Sequence, residues 1–143
     1  MVINFDMDGT LVDLYGVDNW LAMLQNSDPT PYAVAKPLVN FSQLARLLNR
    51  LIAGGHEVNI ISWLSKNGND SYNEMVTSTK KSYLAKHLPS VHFTNIYIVP
   101  YGTPKENIAN GILFDDEERN RKNWKGTAYD ESKIMETLKS LLA

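Results

Sequence analysis

Four short apolar runs recur along the chain, and their spacing limits what it can fold into. They are Val2 to Asp6, Glu57-Val58-Asn59-Ile60-Ile61-Ser62, Asn95-Ile96-Tyr97-Ile98-Val99 and Gly111-Ile112-Leu113-Phe114-Asp115. Each is strand-length and rich in branched residues, and Thr127-Ala128-Tyr129 supplies a short fifth. Between and after them lie helical patterns. Phe41 to Ala53 carries Leu44, Leu47, Leu48, Leu51 and Ile52 and stops at Gly54-Gly55. A second helix is predicted from about Ser71 to His87, ended by Pro89, and a third from about Glu131 to Leu142 with Ile134, Met135, Leu138, Leu141 and Leu142 on one face. Strands separated by helices of this length need crossover connections, which make neighbouring strands parallel. The expected fold is therefore α/β, a three-layer sandwich around a central parallel, Rossmann-like sheet. At 143 residues the chain fits a single domain spanning 1–143.

One segment stands outside the alternation. Residues 14–40 hold a helix predicted from Asp18 to about Gln25 and then "SDPTPYAVAKP", whose prolines break any long helix. The segment leaves the chain just after the first strand, so it is expected to form a minimal cap over whatever that strand end binds.

Composition narrows the partners. The formal net charge is −2, which argues against a large nucleic-acid footprint, and no window approaches the ~20 apolar residues of a membrane span. There is no cysteine, hence no disulfide, thiolate metal site or thiol nucleophile. "MVINFDMDGT" lacks the basic and apolar regions of a secretory leader, so a cytoplasmic protein is expected.

The chemistry concentrates at strand ends. In an open parallel sheet, ligands bind beyond the carboxyl ends of the strands, near the point where strand order reverses. Strand one delivers Asp6 and Asp8 into a Gly9-Thr10 turn, strand two ends in Ser62, strand four ends in Asp115 and Asp116, and "YGTPKEN" before it carries Lys105. Two aspartates one residue apart repel unless a cation or a catalytic role offsets them. Four carboxylates, a hydroxyl and an ammonium at one sheet edge suit a hard cation such as Mg²⁺ together with a phosphate.

On these residues the chain resembles the haloacid dehalogenase-like hydrolase superfamily. "DMDGT" resembles its first motif, Ser62 its second, Lys105 its third and "ILFDDEERN" its fourth, in the expected order along nearly the whole chain. "DMDGTLVD" with "ILFDDEERNRKNW" is further similar to the C-type 5′-nucleotidase branch. The resemblance implies a phosphatase in which Asp6 takes the phosphoryl group as an aspartyl phosphate and Asp8 protonates the leaving oxygen and then activates water. It implies Mg²⁺ held by Asp6, the main-chain carbonyl of Asp8 and the Asp115-Asp116 pair. Gly9 and Thr10 would aim backbone N–H groups at the phosphate, while Ser62 and Lys105 would bind its oxygens.

Plainer assignments stand beside these. Asp115 and Asp116 are also what caps a following helix, and Ser65 competes with Ser62. Lys66, Lys80 and Lys81 compete with Lys105, but lie in or before a helix whose lysines are expected on a solvated face. Tyr15, Trp20 and Trp63 either stack on a base or sugar or close the cap onto the core, and Asp13 either meets substrate or caps a helix. His56, His87 and His92 fall at the far ends of the strands. Arg119, Arg121, Lys122 and Lys125 read as a solvated face, or else as the grip on a second phosphate.

The expected activity is Mg²⁺-dependent hydrolysis of a small phosphorylated substrate, nucleotides leading. The alternatives are a phosphatase of nucleic-acid or protein ends, a second subunit completing the pocket, and a non-catalytic partner-binding relative. A phosphorylation-gated receiver module is disfavoured by motif order, since there the acidic pair comes first.

Overall fold

A computed structural model describes residues 1–143. In chain order the elements are β1 (Val2–Phe5), β2 (Val12–Asp13), α1 (Trp20–Gln25), α2 (Thr30–Val34), β3 (Lys36–Pro37), α3 (Phe41–Ala53), β4 (Glu57–Trp63), α4 (Asp70–His87), β5 (Asn95–Val99), β6 (Ile112–Phe114), α5 (Glu118–Asn123), β7 (Thr127–Tyr129) and α6 (Ile134–Leu142). Three single-turn 3₁₀ segments cover Leu14–Gly16, Lys105–Asn107 and Glu131–Lys133.

β1, β4, β5, β6 and β7 form one fully parallel sheet in the order β5-β4-β1-β6-β7. The chain thus builds outward from β1 on one side, returns, and builds outward on the other. The reversal falls between β1 and β6, where a parallel sheet leaves a crevice beyond its strand ends.

Side-chain alternation assigns the two faces. Ile3 and Phe5 of β1, Val58 and Ile60 of β4, and Ile112 and Phe114 of β6 pack with Leu44 and Leu48 of α3, Tyr83 and Leu84 of α4, and Ile134 and Leu138 of α6. The opposite face is thinner: Ile61 and Leu113 meet Trp124, with Ile108 and Ala128 at the margin. The architecture is the expected three-layer α/β arrangement with one heavy and one light outer layer.

Local signals explain the helices. The Asn40 side chain accepts from the Gln43 N–H at the start of α3, and Asn69 does the same for Tyr72 at the start of α4. Leu44, Leu48 and Leu51 give α3 its buried stripe. α1 begins at Trp20 instead of Asp18 because Asn19 sits in the left-handed region at φ 61°. The last helix likewise starts late: Asp130 caps a 3₁₀ turn through the Ser132 N–H before α6 begins.

Residues 14–40 leave the sheet and return through a two-residue antiparallel ribbon of β2 and β3. Their inner part is tied to α4: Tyr72 Oη donates to the Asp28 carbonyl at 3.1 Å and Tyr83 Oη to the Ala35 carbonyl at 2.6 Å. α1, by contrast, has no buried residue. No helix of the protein is long and apolar enough to cross a membrane.

Candidate active site

β1 and β6 are neighbours, so their carboxyl ends bring Asp6 and Asp115 together at the strand-order reversal. Asp116 follows on the β6 loop. Each of these three aspartates places a carboxylate oxygen within 4.8 Å of the others. Asp6 is 7% exposed and Asp115 fully buried.

Lys105 offsets part of this charge. Its Nζ donates to Asp6 Oδ1 at 3.0 Å and to Asp115 Oδ2 at 2.7 Å, from a side chain that is 1% exposed. An ammonium has three donors, and here one remains for a ligand. Burial pulls the Lys105 pKa down, but Asp6 and Asp115 outweigh it and hold the group charged. Asn120 Nδ2 also donates to Asp115 Oδ2, and the Glu117 N–H to Asp115 Oδ1, so Asp115 is the most firmly held of the three.

One ammonium against three carboxylates leaves excess negative charge. Burial, then the Asp6 carboxylate, pushes both Asp115 and Asp116 well above the ordinary carboxylate range. An all-oxygen donor set of this density fits a hard divalent cation, which would relieve that strain. The turn also leaves room for Asp116: Gly9 has φ +81°, and a Cβ there would stand 2.4 Å from Asp116 Oδ2.

Thr10 joins the two loops. Its fully buried hydroxyl lies 3.0 Å from Asp6 Oδ2 and 3.3 Å from Asp116 Oδ1, with one hydrogen to give, and it accepts from the Asp116 N–H at 3.1 Å. The expectation that Gly9 and Thr10 aim their amides at a phosphate is not met. The Gly9 N–H is held by the Val12 carbonyl and the Thr10 N–H by the Met7 carbonyl, because the turn closes on itself. Both residues shape the carboxylate cluster instead.

Ser62 is placed differently from the expectation too. It is wholly buried, and its Oγ accepts from Lys80 Nζ at 2.7 Å. It follows Val58 and Ile60 by strand parity onto the heavy face, whereas Asp6 and Asp115 belong to the light face. Ser65, its rival, lines the cavity and pairs with the Tyr32 hydroxyl.

Lys80, expected on a solvated face of its helix, is buried instead. It is 1% exposed, and its Nζ donates to Asp8 Oδ2 at 2.9 Å, Ser62 Oγ at 2.7 Å and the Trp63 carbonyl at 2.7 Å. The Tyr32 ring lies beneath it, 4.9 Å from centroid to Nζ. The available signal was periodicity: Tyr72, Val76, Tyr83 and Leu84 form the buried stripe of α4, and Lys80 falls inside it. Burial raises the Asp8 pKa, with Lys80 pulling against it and Asp6 pushing with it.

A cavity of about 560 Å³ opens from the acidic cluster. Asp6, Asp8, Lys105, Asp115 and Asp116 form its floor, and Tyr15, Trp20, Trp63 and Tyr101 wall it on both sides. Tyr15 meets Trp20 edge-on at 5.0 Å, and Trp63 meets Tyr101 at 5.1 Å. The Trp63 indole N–H is held by the Thr103 carbonyl, which leaves the ring face for the cavity and for Arg119, 5.0 Å away. Arg121 is not free either, since it donates to the Asp115 carbonyl. Asp13 accepts from the Gly16 N–H and so caps the 3₁₀ turn.

No protein-family model matches the sequence, and no curated protein matches it. Solved structures do. A D,D-heptose 1.7-bisphosphate phosphatase from B. bronchiseptica, solved with magnesium and phosphate, superposes with a TM-score of 0.52 at 14% identity, over 85% of this chain and 73% of that one. A chain of a Pnkp1/Rnl/Hen1 complex superposes at 0.55 and 18% identity, over 90% of this chain but 44% of its own length. The chain adopts a haloacid dehalogenase-like fold. In an open parallel sheet ligands bind in the crevice at the strand-order reversal, and the cluster described above lies there.

Proposed function

We propose that the protein is a Mg²⁺-dependent phosphomonoester hydrolase that works through an aspartyl phosphate on Asp6, with small phosphorylated molecules as substrates and nucleotides leading among them. The observation that carries this reading is the convergence of Asp6, Asp115 and Asp116 within 4.8 Å on the floor of a walled cavity, with Lys105 on two of them. The phosphatase and magnesium of the heptose bisphosphate phosphatase structure support it.

Asp6, Asp115 and Asp116 would hold the cation, together with the main-chain carbonyl of Asp8. Bound there, Mg²⁺ would supply positive charge against the phosphoryl oxygens and the carboxylates. An Asp6 carboxylate oxygen attacks phosphorus while the ester P–O bond breaks, and Asp8 gives its proton to the departing oxygen. Water then attacks the aspartyl phosphate, Asp8 takes a proton from it, and the P–O bond to Asp6 breaks to restore the carboxylate. Lys105 keeps one donor for a phosphoryl oxygen throughout.

Residues 14–40 act as the cap in this scheme. Trp20 and Tyr15 on that side, and Trp63 and Tyr101 on the other, offer faces for a planar leaving group such as a base. The wall formed by α1 has no buried residue, so a bulkier phosphorylated end remains a second reading. Comparing mononucleotides with phosphorylated oligonucleotides separates the two.

The first test is phosphate release from an aryl phosphate with Mg²⁺, with EDTA, and with Asp6→Asn. Turnover is expected only with Mg²⁺ and the native Asp6. Equal release by the variant overturns the reading.

A further inference from the structure

The site holds two buried lysines, and they reach it from opposite faces of the sheet. Lys105 comes from the light face and grips Asp6 and Asp115, which point that way. Lys80 comes from α4 on the heavy face and grips Asp8 and Ser62. The two differ in what they have left to give. Lys105 lines the cavity with one donor free, whereas Lys80 does not line it and all three of its donors are engaged, at 2.9, 2.7 and 2.7 Å. A lysine with no free donor and no access to the cavity does not bind a phosphate.

We propose that Lys80 is a positioning residue for proton transfer: it fastens Asp8 by Oδ2 alone, so that the carboxylate faces the leaving oxygen, and it takes no part in holding the phosphoryl group. The proposal rests on the hydrolase reading above. Asp8 makes its only side-chain hydrogen bond through Oδ2, and the carboxylate lines the cavity. Ser62 and the Trp63 carbonyl are the other two legs of a tripod that fixes Nζ, and the Tyr32 ring closes it from the cap side. Ser62 thus serves the acid and base through the lysine and not the phosphate. The arrangement also explains why a lysine is buried in the stripe of α4 where an apolar residue belongs: an unpaired ammonium there is costly, and three acceptors offset it.

A positioning role in proton transfer has a signature that a general structural role lacks. Loss of the proton donor matters when the departing oxygen is basic and hardly at all when it leaves as a stable anion. The experiment measures kcat/KM of wild type and Lys80→Met with p-nitrophenyl phosphate, phenyl phosphate and an alkyl monophosphate. Expected is a loss of about 100-fold on the alkyl ester and within about fivefold on the nitrophenyl ester, graded between them. Asp8→Asn should show the same gradient, and the double variant should be no worse than Asp8→Asn, since residues acting as one unit are not additive. Ratios between substrates do not depend on the folded fraction, and if Lys80→Met does not fold, Lys80→Gln is measured the same way. A uniform loss across the three esters, or additive effects in the double variant, overturns the proposal and leaves the hydrolase reading standing. A wild type that releases phosphate from none of the three overturns that reading and this proposal with it.

Discussion

At the scale of single residues, the site depends on small groups that keep charges where they are. Gly9 is the clearest case, since its φ of +81° favours glycine and its missing Cβ leaves the Asp116 carboxylate its place. Gly9→Ala is expected to destabilise the protein by about 1–2 kcal/mol from backbone strain and to weaken Mg²⁺ binding as Asp116 is displaced. Denaturant unfolding and calorimetric titration with Mg²⁺ would check the two effects; unchanged Mg²⁺ affinity would show that Asp116 is not a ligand. The gathering of Asp6, Asp115 and Asp116 was legible because each follows a strand end, and Lys105 because it lies on the connection into β6. Lys80 was not, since a lysine on a helix is ordinarily solvated and its acceptors, Asp8 and Ser62, lie far from it in sequence. Gly9 and Thr10 could be named but not assigned, because whether a turn amide faces a ligand or its own carbonyl depends on how the turn closes.

At the scale of elements, the parallel strands announced themselves as apolar runs, while the two-residue ribbon of β2 and β3 and the five residues of α2 are too short to leave a pattern. A polar thread runs across the strands that no run of apolar residues predicts. Asn4, Asn59 and Asn95 are register partners on β1, β4 and β5. Asn59 Nδ2 donates to Asn4 Oδ1 at 3.0 Å and to Glu57 Oε2, and Asn95 Nδ2 donates to Asn59 Oδ1 at 3.1 Å. Asn4 in turn donates to the Asn110 and Ile112 carbonyls, extending the thread toward β6. A one-residue slip between strands would break the bonds that cross them, so the thread helps fix the register that sets Asp6 beside Asp115. Asn59→Ala orphans polar groups on both neighbours and is expected to cost about 2–4 kcal/mol, read as a lowered Tm. Activity per folded molecule should change far less than with Lys80→Met, because Asn59 bonds to Asn4, Glu57 and Asn95, none of which lines the cavity, whereas Lys80 holds Asp8, which does.

At the scale of the whole molecule, burial of acid groups couples folding to pH and to the cation. Asp8, Asp115 and Asp116 all ionise above the ordinary carboxylate value in the folded chain, burial being the first cause for each. Unfolded carboxylates ionise near about pH 4, so above that the folded protein binds more protons than the unfolded one, and its stability falls as pH rises through the raised values. Without metal, Tm is therefore expected to decline from about pH 5 to about pH 8 on account of these groups. Mg²⁺ at about 100 times its dissociation constant would restore about 2.7 kcal/mol, and the gap between Mg²⁺ and EDTA melts should widen with pH. Equal melts in Mg²⁺ and EDTA at both pH values would remove the cation from the site. The overall strand order, β5-β4-β1-β6-β7, was beyond composition or periodicity, since similar apolar runs do not say which pairs with which.

That order has a consequence for how the protein is made. β1 precedes the other four strands of the sheet in the chain yet lies at its centre, flanked by β4 and β6. The aspartate that would react is thus made before the groups that hold and balance it, Lys105, Asp115 and Asp116, which follow it by about 100 residues. A nascent chain that has not yet extended past residue 116 lacks the full set of carboxylates that the folded site gathers around Asp6. The carboxylate cluster is complete only once the return crossover seats β6 against β1, a pairing of residues about 110 positions apart.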